Sequence, residues 1–288
     1  MTGSVAAMPD VIARHLSQRL SERWGQGVVV ENRPQVTITS GVAAKATPDG
    51  YTLLLADRTS HVVAPNLHKD LLYDPIRDFA PITLVARAPL LLVAHPSVSA
   101  ANLRELIAYA KQRPGSIDYA SAGPGTAVHI TTERFKQVAG IDLMNVQYKG
   151  GGAAMAAILS GEAKVGFALV PVALPHVKVG KVKTYAITSA KRFTGAPDVP
   201  TMAEAGLPGF DSEELWVGMF APVRTPRSLV AKLNADIVDI LKAPATRDAL
   251  RALGAEPATS TPEEFAAFIA AETATLKKVI QLAGIRVE

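Results

Sequence analysis

The chain has 288 residues, 48% of them hydrophobic and 19% charged, with a net charge of +4 and no cysteine. That is enough chain and apolar surface for one large or two ordinary domains, and it excludes a disordered polypeptide, disulfides, thiolate zinc sites and thiol nucleophiles. Lysines and arginines are scattered with no run of five or more, so no basic face for nucleic acid is expected, and no apolar stretch approaches the ~20 residues of a membrane helix.

In chain order, "MTGSVAAMPDV" shows no basic segment followed by an apolar one, so no signal peptide is expected there. A helix is predicted from Pro9, with Ile12, Leu16 and Leu20 recurring every four residues and Gly25 as its stop. "GVVVEN" (27–32) and "YTLLLAD" (51–57) have the near-continuous apolar character of buried, parallel-type strands, and "APLLLVAHP" (88–96) and "LWVGMFAP" (215–222) are two more. Between these last two, helices near 101–112, 126–138, 151–160 and 170–180 alternate with strands near 117–120, 144–148, 164–168 and 183–188. Thr201 with Glu204 forms a capping box, and "TPEEF" at 261 forms another. Leu229, Leu233, Ile237 and Leu241 make one helical stripe.

The alternation predicts an α/β fold with residues 97–218 inserted into an outer lobe of 1–96 and 219–288. Two crossings, at "VAHPSV" and "MFAPVRTP", predict a hinge near 95–98 and 219–224 and an interlobe ligand cleft at the carboxyl ends of the strands.

Four stretches are candidate ligand contacts. "YASAGPGTAVHITTERF" (119–135) combines a strand end, a glycine turn and a helix start. Such a start presents unpaired N–H groups and the positive end of the helix dipole, which suits an anion. Ser121, Ala122, Gly123, Gly125 and Thr126 form the predicted seat, with a carboxylate on the N–H groups of Gly123 to Thr126; the alternative is an ordinary strand–turn–helix link capped by Thr126. His129, one turn on, either reaches the cleft or is a satisfied structural histidine. "YKGGGAAM" (148–155) offers a second helix start at Gly150 and Gly151, or glycines that only permit close helix–sheet packing. Lys149 precedes those glycines, which excludes a phosphate loop. In "DRTSH" (57–61) Arg58 would give a carboxylate a bidentate fork, with Thr59 and Ser60 adding hydrogen bonds; alternatively Asp57 neutralises Arg58. Glu213 and Glu214, before Trp216, either are solvated or face the cleft, in which case a ligand with one carboxylate and a neutral or cationic remainder is expected.

"VVVENRP", "PDGYTLLLA", "YDPIRDFAPIT", "YASAGPGTAVH", "VQYKGGG", "ALPHVKVGKVKTYAITSAKR", "PDVPTMAEAGLPGF" and "GMFAPVRTP" together resemble the solute-receptor (Bug) family of tripartite tricarboxylate transporters, over about residues 3 to 286. The resemblance implies a two-lobed periplasmic binding protein fold of type II-like kind. It further implies capture of a small carboxylate through backbone N–H groups and water from both lobes, and delivery to a membrane permease. By family position, Gly3, Ser4 and Val5 are the outer lobe's share of the clamp, and Phe167 and Trp216 complete the lining.

Three features depart from the family. "MTGSV" starts inside the loop that follows the family's first strand, so a truncated start or a sheet without that central strand is expected. "QVTITSG" replaces a glycine-rich stretch after "ENRP", and "VGFALVPVALP" (165–175) lacks the acidic residue often found there.

Catalysis is not expected: there is no GxSxG elbow, no HxH or HExxH pattern and no paired carboxylates, and Ser60 and His61 would point apart on a strand end. No metal or organic cofactor is implied, and a monomer is expected. A cytosolic carboxylate sensor is the alternative reading, with a hydrolase behind it.

Overall fold

A computed structural model describes residues 1–3, 8–33, 36–68, 70–210 and 213–285. In chain order the elements are α1 (Met8–Trp24), α2 (Val36–Ala44), β1 (Leu54–Asp57), a π-helical turn (Thr59–Val63) running into α3 (Ala64–Leu67), β2 (Phe79–Ala88) and β3 (Leu90–Ala94). They continue with α4 (Leu103–Lys111), β4 (Asp118–Ser121), α5 (Ala127–Ala139), β5 (Met144–Gln147), α6 (Gly151–Ser160), β6 (Val165–Leu169), α7 (Val170–Lys178) and β7 (Lys183–Ile187). The last are β8 (Leu215–Pro222), α8 (Arg227–Lys242), α9 (Pro244–Ala252), β9 (Glu256–Pro257) and α10 (Pro262–Ala283). Two compact units result, Met1–Arg87 with Trp216–Lys278, and Ala88–Leu215 with Val279–Glu288. The division differs from boundaries at 96/97 and 218/219 because β3 is a strand of the second unit's sheet and β8 a strand of the first.

In the first unit the strand order is β1-β8-β2-β9, with β1 antiparallel to β8. "YTLLLAD" therefore forms a shorter strand than expected, and its named partner is antiparallel. The chain start sits beside β1: the Met1 ammonium donates to Leu53 O at 2.6 Å and Leu55 N–H to Met1 O at 2.9 Å. On its other side Thr2 bridges Asn32 in parallel, with Thr2 N–H to Glu31 O at 3.0 Å. Met1 and Thr2 add only these bonds beside β1 and no strand of their own to the sheet. "GVVVEN" forms no strand beyond this single bridge, because a ladder needs a partner along its length and only Thr2 reaches it. A groove of about 760 Å³ lies where residues 26–29 and 49–53 face each other, and Val29 and Tyr51 are 87% and 82% exposed beside it.

The second unit is a three-layer α/β/α arrangement. Its strand order is β5-β4-β6-β3-β7, with β4 parallel to both β5 and β6, and β3 antiparallel to β6 and β7. β3 explains the apolar run "LLLVA": Leu90, Leu92 and Ala94 pack on one face with α4 and α5, Leu91 and Val93 on the other with α6 and α7. A strand covered on both faces has no polar side to alternate with. Both capping boxes close reciprocally: Thr201 N–H to Glu204 at 2.8 Å with Glu204 N–H to Thr201 Oγ1 at 3.2 Å, and Thr261 N–H to Glu264 at 2.9 Å with the return bond at 3.1 Å.

Gly218 in β8 shows how tightly the first unit's core is filled. A Cβ built there lies 2.1 Å from the Phe265 ring, which also packs against Phe220 and Trp216. Gly218→Ala is expected to lower stability by about 1–3 kcal/mol through forced displacement of that ring; a urea midpoint equal to the parent's would contradict this packing.

Candidate functional site

The carboxyl edge of the second sheet collects helix starts. β4, β5 and β6 are neighbouring parallel strands, and each runs directly into a helix: α5 after β4, α6 after β5, α7 after β6. α5 lies on one face of the sheet and α6 on the other, so the links from adjacent strands β4 and β5 diverge. Divergence of this kind opens a crevice at the strand ends, the usual ligand position in α/β sheets.

The two turns at this edge are tied together. Tyr148 N–H donates to Ser121 O at 2.9 Å, extending the β4–β5 ladder, and Gly150 N–H donates to Tyr148 O at 3.0 Å. Gly123 lies close enough that a Cβ there would be 3.9 Å from Tyr148 O. Gly123 and Gly125 have φ of 118° and 67°, which only glycine adopts without strain. The Ser121 hydroxyl, at the foot of the turn, is fully buried and has no hydrogen-bond partner among the described residues.

The N–H groups of α5 are unequally available. Thr126 is the N-cap: its Oγ1 accepts from His129 N–H at 3.4 Å and donates to Gly123 O at 2.8 Å. Thr126 N–H itself leans on Gly123 O at 3.4 Å. Gly125 N–H is donated to His129 Nδ1 at 3.1 Å. The expectation that Gly125 offers its amide to a ligand is therefore corrected; its own protein takes that bond. What remains at the first turn are the N–H groups of Ala127 and Val128, which no intrahelical carbonyl can reach. His129 is a buried, partnered histidine. Burial lowers its pKa, Glu133 opposes this and Lys136 adds to it.

α6 starts with Gly150 at φ 94° and no side-chain cap, and Gly151 and Gly152 are exposed. α7 also starts without a side-chain cap. None of the residues in 121–129 or 150–153 carries a carboxylate. The edge is therefore a set of main-chain donors and one hydroxyl, reinforced by helix dipoles of roughly half a charge each.

Other predicted contacts lie elsewhere. Phe167 is core: it stacks on Phe210 at 6.0 Å and meets Phe135 edge-on at 5.7 Å. Trp216 is also core, 1% exposed, its indole N–H donated to Glu272. Arg58 is 1% exposed, with Nε donating to the same Glu272 carboxylate at 2.5 Å. A carboxylate of the protein thus meets the guanidinium expected for the ligand, and the alternative partner Asp57 is engaged with Ser60 N–H at 3.0 Å. Thr59 is exposed; Ser60 is buried. Gly3 O accepts from Asn32 Nδ2 at 3.1 Å, which also donates to Asp10 at 2.7 Å, so Asn32 of the "VVVEN" motif ties the start of α1 to the chain start. Ser4 and Val5 lie outside the described residues, as do Asp211 and Ser212.

Ser60 and His61 do not point apart. The segment is helical, and Ser60 Oγ lies 3.2 Å from His61 Nδ1 and 3.2 Å from Asp57 Oδ1. Yet His61 is fully buried, stacked on Phe220 at 4.1 Å, and burial drives its pKa down to about 3. A serine and histidine with no surface, packed among phenyl rings, offer a substrate no approach.

Glu213 is neither solvated nor free. It is buried and paired with Arg134, whose guanidinium also donates to Gly209 O at 3.3 Å. This removes the argument that it repels a second carboxylate. Glu272, Arg134 and Asn145, the partners that fix Arg58, Glu213 and His129, went unnoticed in the sequence: each lies 16 to 214 residues from its partner, beyond any local pattern. Among the described residues no group of three or more His, Asp or Glu could hold a metal.

Comparison with known proteins bears on the whole chain. Residues 12–285 match the tripartite tricarboxylate transporter family receptor. Protein BugT of Bordetella pertussis is 34% identical over 282 residues, covering 97% of this chain and 86% of its own. The solved structure of R. palustris Rpa4515 with adipate is 32% identical with a TM-score of 0.80, covering 99% of this chain and 97% of that one. The structure of the periplasmic binding protein BugD is 33% identical with a TM-score of 0.76, covering 100% and 98%.

The Arg58–Glu272–Trp216 contact is expected to be structural. Glu272→Gln removes the charge facing a buried guanidinium and should cost about 3–5 kcal/mol in urea unfolding. An unchanged midpoint would show that this ion pair carries no stability.

Proposed function

Since this chain belongs to the tripartite tricarboxylate transporter receptor family, whose members are receptors and not enzymes, we propose that it captures a small organic carboxylate at the carboxyl edge of β4, β5 and β6. The observation that carries the reading is that α5 and α6 start at the ends of adjacent parallel strands on opposite faces of the sheet, with no carboxylate in either turn.

The chemistry follows from the donors. A carboxylate oxygen accepts from the Ala127 and Val128 N–H groups, while the Gly151 and Gly152 N–H groups are within the same edge. Charge-assisted bonds of this type are shorter and roughly twice as strong as neutral ones. No proton is moved and no bond is broken; the anion is held by fixed dipoles that need no reorganisation. With Glu213 neutralised by Arg134, a second carboxylate on the ligand is tolerated, in keeping with the adipate held by Rpa4515. Delivery to the transporter's membrane permease, a periplasmic setting and a monomeric state belong to this reading.

Calorimetry with adipate, its diamide and hexanoate tests it. Adipate is expected to bind at least as tightly as hexanoate, and the diamide to lose at least about a hundredfold, the worth of two charge-assisted bonds. Adipate should also raise the melting temperature in proportion to its occupancy. A diamide that binds as well as the diacid would defeat anion recognition by this edge. Gly123→Val, which forces a β-branched residue to φ 118°, is expected to abolish adipate binding while the protein still melts cooperatively; retained affinity would place the seat elsewhere.

A further inference from the structure

His129 sits directly under the α5 turn, yet it is not the helix cap, which is Thr126. Its Nδ1 accepts the Gly125 N–H at 3.1 Å, its Nε2 is 3.1 Å from Asn145 Nδ2 on β5, and its ring stacks on Tyr119 of β4 at 6.5 Å. An Nδ1 that accepts fixes the tautomer: the ring is neutral, and its single proton is on Nε2. That proton needs an acceptor, which an NH2 group is not, so the Asn145 amide is assigned with its oxygen and nitrogen exchanged and Oδ1 facing Nε2. The same orientation gives Asn145 Oδ1, buried and otherwise without a partner among the described residues, its hydrogen bond. One neutral imidazole thus joins the turn after β4 to the strand β5 that carries the second glycine turn.

We propose that His129 is a positioning residue for ligand capture: its unprotonated Nδ1 latches Gly125 in its left-handed conformation and so sets the α5 donors before the carboxylate arrives. This rests on the carboxylate reading above. A turn held by a side-chain acceptor is rigid without a ligand, so binding does not have to order it. Protonated Nδ1 becomes a donor facing a donor, and the latch opens.

The groups around the ring favour the latched state. Glu133, one turn along α5, accepts from the Tyr119 hydroxyl at 2.6 Å and from Lys136 at 3.1 Å, so its charge is shared with partners on β4 and α5. Asn145, facing from β5, is neutral. The positive end of α5 also disfavours an imidazolium there. With the histidine pKa held below 6.5, chiefly by burial, the latch is complete at neutral pH and is lost as pH falls through that lowered value.

Two substitutions separate the latch from mere space filling. Asn carries an acceptor at the position of Nδ1 and does not titrate; Gln carries its amide nearer the position of Nε2. At pH 7.5, His129→Gln is expected to weaken adipate binding about tenfold, while His129→Asn stays within about threefold of the parent. As pH falls below 6.5 and through the lowered histidine value, the parent should lose affinity and His129→Asn should not. In the ligand-free proteins, the Gly125 amide proton resonance should be shifted downfield in the parent and in His129→Asn, and not in His129→Gln. A Gly125 resonance indifferent to His129→Gln overturns the latch whether or not adipate binds. Equal weakening by Asn and Gln, or tighter binding by the parent in acid, overturns its positioning role. A parent that binds no adipate although Gly125 shifts as expected removes the receptor reading on which the proposal rests, and with it the role in capture.

Discussion

The constraint on which the second unit depends is the obligation of every buried backbone amide to find an acceptor. At a helix start four amides have no carbonyl within reach, and a fold can cap them, hydrate them or offer them to a ligand. This chain caps them unevenly. α4 is capped by Asn102, and the turn at 202 by a Thr–Glu pair. α5 is capped at one amide by Thr126 and latched at another by His129. α6 has no side-chain cap at all. α5 and α6 follow adjacent parallel strands, and their first-turn amides, more than any reactive group, mark the edge proposed for the ligand.

Charged side chains follow the complementary logic. Arg58, Glu213 and Glu272 looked available for ligand contact or were unremarked, but burial without a partner would be costly, so each is consumed by the protein. Arg58 and Trp216 share Glu272, and Arg134 holds Glu213. The ionic groups are paired within the units; in the proposed reading the anion is left to neutral donors. Such a division keeps the seat free of competing internal carboxylates.

Much of the second unit was legible in the sequence because its signals are local. Apolar runs covered on both faces, glycine turns and helical stripes fall within a few residues of each other, and the expected strands and helices from 101 to 188 agree with the observed ones to within a few residues. The first unit was harder. β2 contains Pro81, a residue that argues against a strand, and α2 is rich in β-branched residues that favour one. "GVVVEN" has strand composition but almost no neighbour to pair with. The glycine turns were legible as anion seats; that one amide of the seat was already spoken for was not, because it depends on where His129 points, and that is settled by Asn145 on the next strand.

Gly150, Gly151 and Gly152 introduce α6 with no side chain at all. A recognition surface made of peptide groups has no codon of its own. At Gly151 and Gly152 almost any replacement leaves the N–H in place and proline alone deletes it, whereas Gly150, at φ 94°, needs glycine's freedom. Divergence can therefore reshape the walls around this edge, and with them the size and polarity of the guest, while the preference for an anion persists untouched.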